Sequence, residues 1–136
     1  MKDYVLDANA LVRYLLKQNG ASRVRELFIQ TDKKQATLSV SVINLAEVLY
    51  VTARYRPLED AERNIRKLSG LVEFVPSDTD CALAAAALRS RYKLGLADCF
   101  AAELAMRTGA TLVTADPEFK RLGKQLKLLA LPHHSV

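Results

Sequence analysis

Soft metal ligands are scarce in this 136-residue chain: two cysteines, Cys81 and Cys99, and two histidines, His133 and His134, which are adjacent and lie in its last four residues. The cysteines form no CxxC or Cys/His pattern and stand in apolar, helical-looking surroundings, so they read as reduced core thiols and no zinc site is expected. The histidines read as part of a terminal tail rather than as ligands. With no Ser/His/Asp or Cys/His set in view, an enzyme built on this sequence would use water rather than a side chain as its nucleophile. Long apolar runs are also missing. The first residues, Met1 to Asp7, are interrupted by acid too soon for a signal peptide or a membrane span, which predicts a cytoplasmic protein with no membrane partner. Repeats, low-complexity tracts and long linkers are absent too, and the length suits a single compact domain over residues 1–136.

Acid is in shorter supply than base. Fifteen acids against twenty Lys and Arg leave a net charge of +5 and a pI near 9.4, which favours a polyanionic partner because cations that bind phosphates release condensed counterions. If four of the acids belong to one clustered site, eleven remain against twenty cations and the rest of the body carries +9. A basic body around an acidic hole suits a phosphodiester enzyme. Half the residues are apolar and 26% charged, the balance of an ordinary globule rather than of a disordered or fibrous chain.

Hydrophobic periodicity supplies the elements. Tyr4-Val5-Leu6 reads as a buried strand running into Asp7 and a helix through Leu11, Leu15 and Leu16 that ends near Gly20. A second helix carries Val24, Leu27 and Phe28, and a polar loop, Asp32 to Gln35, leads to a strand at Ala36-Thr37-Leu38. Ser39 or Ser41 caps a helix from Val42 to about Arg54 that is apolar on more than one face and is expected to be largely buried. Pro57 opens an amphipathic helix closed by Gly70, and Val72 to Val75 reads as a strand. Ser77 to Asp80 caps a helix stopping around Lys93 to Gly95, whose Ala84 to Ala87 run lets a neighbouring backbone approach closely. A further helix begins near Ala97-Asp98 and ends at Gly109, Thr111 to Thr114 is a strand, Asp116-Pro117-Glu118 restarts a short helix, and Leu126 to Leu131 is a final strand. This alternation predicts an α/β/α sandwich with a mainly parallel sheet.

Four acids draw attention in this frame. Asp7, Asp98 and Asp116 each have a plain structural reading, because each lies at a helix start where a carboxylate accepts from unpaired amides and suits the macrodipole. Glu47 has none: it stands about two turns into the apolar run Val42 to Val51, and its same-face neighbours Ile43, Asn44, Tyr50 and Val51 offer no local cation. An acid there should be exposed, paired or functional. Ligands of open parallel sheets bind at the carboxyl ends of the strands, where Asp7 and Asp116 fall and which the start of the Asp98 helix can share. Carboxylates gathered there repel one another unless cations compensate, and hard Mg²⁺, or Mn²⁺, suits an all-oxygen set completed by water and phosphate. Such an ion activates water for in-line attack on phosphorus and stabilises the leaving oxygen.

These residues resemble the PIN-domain family, and within it the short toxin ribonucleases of VapBC toxin–antitoxin systems, over almost the entire chain. Tyr4 to Leu11 is similar to the family's first motif, with Asp7 as its acid and Asn9 as a supporting polar residue. Ser41 to Val48 is similar to the second, with Glu47; Leu96 to Ala102 to the third, with Asp98; and Ala110 to Asp116 to the fourth, where Thr114 takes a frequent Ser/Thr position. The resemblance implies a three-layer fold, Mg²⁺ or Mn²⁺ at Asp7, Glu47 and Asp98 with Asp116 more peripheral, cleavage of RNA, a cognate antitoxin over the acidic cleft, and a homodimer. Glu103 is read instead as the partner of Arg107 one helical turn on. Arg89, Arg91 and Lys93, or Lys120, Arg121, Lys124 and Lys127, are candidates for phosphate contact, and Tyr92 for stacking on a base. The alternatives are a PIN nuclease of RNA processing outside a toxin–antitoxin pair, a catalytically silent PIN-like scaffold, and a phosphatase or phospho-receiver. The last fits poorly, because Asn9 stands where a dehalogenase-type phosphatase has its second Asp.

Overall fold

A computed structural model describes residues 1–132, so His133 and His134 lie outside the described residues. Five strands, β1 (Lys2–Leu6), β2 (Ala36–Ser41), β3 (Val72–Val75), β4 (Thr111–Thr114) and β5 (Lys127–Ala130), form one sheet in the order β3-β2-β1-β4-β5. Every pairing is parallel, with Tyr4 opposite Leu38 on one side of β1 and opposite Thr111 on the other. Parallel strands need crossovers, and helices α1 (Ala8–Leu15), α2 (Ala21–Asp32), α3 (Val42–Thr52), α4 (Leu58–Arg66), α5 (Thr79–Tyr92) and α6 (Leu96–Thr108) supply them.

Because successive side chains of a strand point to opposite faces, β1 feeds two cores. Tyr4 and Leu6 join Leu11, Val24, Leu27, Val40 and Val113 beneath α1 to α4. Val5 joins Leu94, Leu104, Leu112, Phe119 and Leu122 on the other face, with α6 and the 3-10 segment Pro117–Gln125. The result is the three-layer α/β/α sandwich, with both faces of the sheet covered as an all-parallel sheet requires. Cys81 and Cys99 are buried free thiols.

Several local expectations shift. The first helix stops at Leu15, well before Gly20: Lys17 turns left-handed at φ 57, and Gly20, at φ 93, begins α2. Strand β2 extends through Ser41, whose hydroxyl then accepts from the Ile43 amide at 3.2 Å and caps α3. Helix α3 ends at Thr52 and is not largely buried; only Asn44, Val48 and Thr52 are enclosed, because it lays one stripe on the core and leaves Ile43, Glu47 and Tyr50 exposed. In the alanine run only Ala85 is buried, in the same core as Ala101, Ala102 and Ala105 of α6, while Ala84, Ala86 and Ala87 face out.

Candidate active site

The chain order reverses at β1: β2 and β3 are added on one side, β4 and β5 on the other. The carboxyl ends of β1 and β4 meet at that reversal, the usual position for a ligand in such a sheet. Asp7 follows β1 directly and is the N-cap of α1, its Oδ1 accepting from the Ala10 amide at 2.8 Å. Its Oδ2 accepts from the Thr114 hydroxyl at 2.5 Å, and the same hydroxyl oxygen accepts from the Asp116 amide at 3.0 Å. One β4 side chain thus ties the first acid to the backbone of the last. Asp116 in turn caps the 3-10 segment through the Glu118 amide at 2.9 Å.

Asp98 stands in the first turn of α6, half-buried. Gly95 precedes that turn, and a Cβ built there would meet Asp98 Oδ2 at 3.2 Å, so the glycine leaves room beside the carboxylate. Helix α3 is held to the same place by Asn44, fully buried, whose Nδ2 donates to the Ala97 carbonyl at 3.0 Å. Glu47 lies one turn beyond Asn44 on α3, exposed.

The carboxylates feel one another. Asp7 is 1% exposed, and burial pushes its pKa up to about 7 against the lowering by the Thr114 and Ala10 hydrogen bonds, with Asp98 and Asp116 adding to the rise. Burial likewise raises Asp98 to about 6, helped by the negative charge of Asp116, Glu47 and Glu118. Among the described residues no Lys or Arg forms a salt bridge with Asp7, Glu47, Asp98 or Asp116. Among them, too, no three acids already stand in an arrangement that would ligate one ion. An uncompensated, oxygen-only group of this kind fits a hard divalent cation that keeps several waters and takes few protein ligands.

The other singled-out residues fall elsewhere. Asn9 is exposed on α1, and the two hydrogen bonds on the Asp7 carboxylate come from Ala10 and Thr114. Arg107 binds Glu103 at 2.8 Å through its Nε. Tyr92 is half-buried, its hydroxyl accepting from Gln125 Nε2 at 2.7 Å, so its ring is tethered to the 3-10 segment. Arg89 donates to the Leu94 carbonyl and Arg121 to the Tyr92 carbonyl, which gives both a role in holding the chain. Three residues of the site were missed in the sequence. Asn44 carried a signal, a polar residue inside an apolar run three places before Glu47. Glu118 and Gly95 carried none, because their position depends on the turn geometry around them.

Solved structures share this fold. The chain is similar to a protein in the structure of VapBC2 from Rickettsia felis bound to a DNA fragment from their promoter, with TM-score 0.76, 25% identity and coverage of 95% of this chain and 98% of that one. It is similar to one in DNA-bound VapBC from Salmonella typhimurium, with TM-score 0.73, 22% identity and coverage of 96% and 98%. A third likeness is to VapBC-1 from nontypeable Haemophilus influenzae, with TM-score 0.71, 22% identity and coverage of 94% and 97%. No curated protein sequence matches. A family model, described as PIN domain, matches residues 4–125 and so spans all four acids, and on that match the chain belongs to the PIN domain family of nucleases.

Proposed function

We propose that the protein is a metal-dependent endoribonuclease that hydrolyses RNA phosphodiester bonds with Mg²⁺ or Mn²⁺, and that it acts in the cytoplasm as the toxin of a toxin–antitoxin pair. The observation that carries the chemistry is the group of uncompensated carboxylates at the switch point of the sheet, with Asp7 and Asp98 held at raised pKa by burial and by their acidic neighbours. Asp7, Glu47 and Asp98 are the proposed ligands, with Asp116 more peripheral. A bound ion supplies a positive centre that polarises a phosphate oxygen and acidifies a water. The residues do the rest. Thr114 donates a hydrogen bond to Asp7 Oδ2, which orients that carboxylate. Asn44 fixes Ala97, and with it the first turn of α6, so that Asp98 is presented to Glu47. Asn9, exposed beside Asp7, is assigned to substrate or water rather than to the carboxylate.

The biological role rests on the likeness to proteins in VapBC structures, of which the Rickettsia felis one is 25% identical. The partners would be an antitoxin covering the crevice, structured RNA as substrate, and a second copy of the chain. Purified protein with Mg²⁺ or Mn²⁺ is expected to cut structured RNA internally, to stop on chelation, and to inhibit growth when expressed. Asp7→Asn should remove both effects. An Asp7→Asn protein that still cut RNA and arrested growth as the parent does would overturn the reading.

A further inference from the structure

The twenty basic side chains differ in their surroundings. Arg23, Arg63, Arg66, Arg107 and Arg121 each pair with an acid. Lys17, Arg25, Arg56 and Lys67 do not: they line one cleft of about 640 Å³ whose wall contains no acid. Among the described residues none of these four side chains has a hydrogen bond or an ion pair, and the Nε of Arg56 is buried without a partner. They arrive from four places, the turn after α1, helix α2, the segment between α3 and α4, and the end of α4. Four like charges converging from four elements cost free energy through repulsion unless an anion joins them.

Two further features have the same sign. Helix α2 opens at the cleft with Ala21 and Ser22, has no acid in its first turn and no side-chain cap, so the positive end of its dipole adds to the field. Tyr14, its ring packed on Phe28, lines the wall together with Ser22 and Asn64, so hydrogen-bonding groups accompany the cations. Tyr14 and Leu15 belong to the end of α1 opposite its Asp7 cap, and eight helical residues span roughly 12 Å, which puts the cleft a few nucleotides from the acids.

We propose that this cleft is a second RNA site, binding the phosphate backbone of the substrate away from the bond that is cut; the proposal rests on the ribonuclease reading above. Cations uninterrupted by acid match a uniformly charged strand better than they match a polypeptide, which brings charges of both signs. The cleft thereby anchors a strand whose scissile phosphate would otherwise be repelled from the acidic crevice.

The test uses Asp7→Asn protein, so that RNA is bound and not cut, and a labelled RNA hairpin with single-stranded flanks, followed by fluorescence anisotropy across a salt series. Arg25→Gln/Lys67→Gln in that background should weaken binding about tenfold and reduce the log–log salt slope by about 1.5, the loss of two phosphate contacts. Lys33→Gln/Lys34→Gln, before β2, should change neither by more than about a factor of two. Removing two exposed, unpaired and mutually repelling cations should leave the melting temperature unchanged or slightly raised; if it falls, Lys17→Gln/Lys67→Gln provides the same comparison. Unchanged affinity and slope in the cleft variants overturn the second site alone. Loss of poly-glutamate binding in those variants with RNA binding intact also overturns it, in favour of an acidic protein partner. Absence of RNA binding by the Asp7→Asn parent overturns the ribonuclease reading as well.

Discussion

Asp7 is at once a helix cap and a buried carboxyl group. Its pKa is about 7 in the folded chain against an ordinary 3.8, so the neutral form is favoured by burial. For a group raised on folding, the stability it contributes is full below pH 3.8 and is lost as pH rises towards 7. In the absence of divalent metal, Asp7→Asn should therefore match the parent near pH 4 and exceed it at pH 8 by a few kcal/mol, since each tenfold change in proton affinity on folding is worth about 1.4 kcal/mol. Thermal melts of both proteins in chelator check this; equal melting temperatures at pH 8 would remove the burial penalty from the account. Since ligands must be ionised to bind a cation, cleavage should climb between about pH 6 and 7, where Asp98 and Asp7 lose their protons, and level off above. Thr114 holds the Asp7 carboxyl group in place. Thr114→Val should cost about 10- to 100-fold in Mn²⁺ affinity or rate, while Thr114→Ser keeps the hydroxyl and most of the activity; calorimetry with Mn²⁺ separates the two variants.

At the scale of elements, the question is what brings α3 and α6 to the edge that β1 and β4 define. Asn44 does so with one side chain, and Asn44→Ala should destabilise by roughly 0.5–1.5 kcal/mol, because a fully buried side chain gives up its hydrogen bond to the Ala97 carbonyl. A denaturant titration measures this, and a fall in activity larger than the unfolded fraction marks the displacement of Asp98. Gly95→Ala is the milder probe: its Cβ would crowd Asp98 Oδ2 at 3.2 Å, so metal affinity should drop with little change in melting. These elements also show what was legible in the sequence. The unit β1-Asp7-α1 was, because an apolar run ending in a capping acid is a local signal. The end of α1 was not: Leu15 and Leu16 continue the helical period, and nothing in Lys17 announces its left-handed backbone. For α3, counting apolar residues overestimated burial, since periodicity does not say which stripes a partner covers. Of the candidate site, the places of Asp7, Asp98 and Asp116 at helix starts were legible, whereas the links Thr114 to Asp7 and Asn44 to Ala97 join residues 107 and 53 positions apart and appear only when the sheet is assembled.

For the molecule as a whole, acids without counter-ions at one edge imply that a divalent cation should act as a stabiliser. Mn²⁺ at a hundred times its dissociation constant should add about 2.7 kcal/mol to the parent and much less to Asp7→Asn, a difference visible as a shift in melting temperature. No shift in either protein would favour a catalytically silent scaffold. Among the described residues no helix is long and apolar enough to cross a membrane. The order β3-β2-β1-β4-β5 has a consequence in time as well as in space. The central strand β1 and its partner β4 lie more than a hundred residues apart in the chain. Until β4 emerges during synthesis, Asp7 has neither Thr114 to orient it nor Asp116 beside it, and β1 has an open edge. On the proposed ribonuclease reading, a chain that stops before β4 lacks both Thr114 and Asp116 and should not cleave RNA.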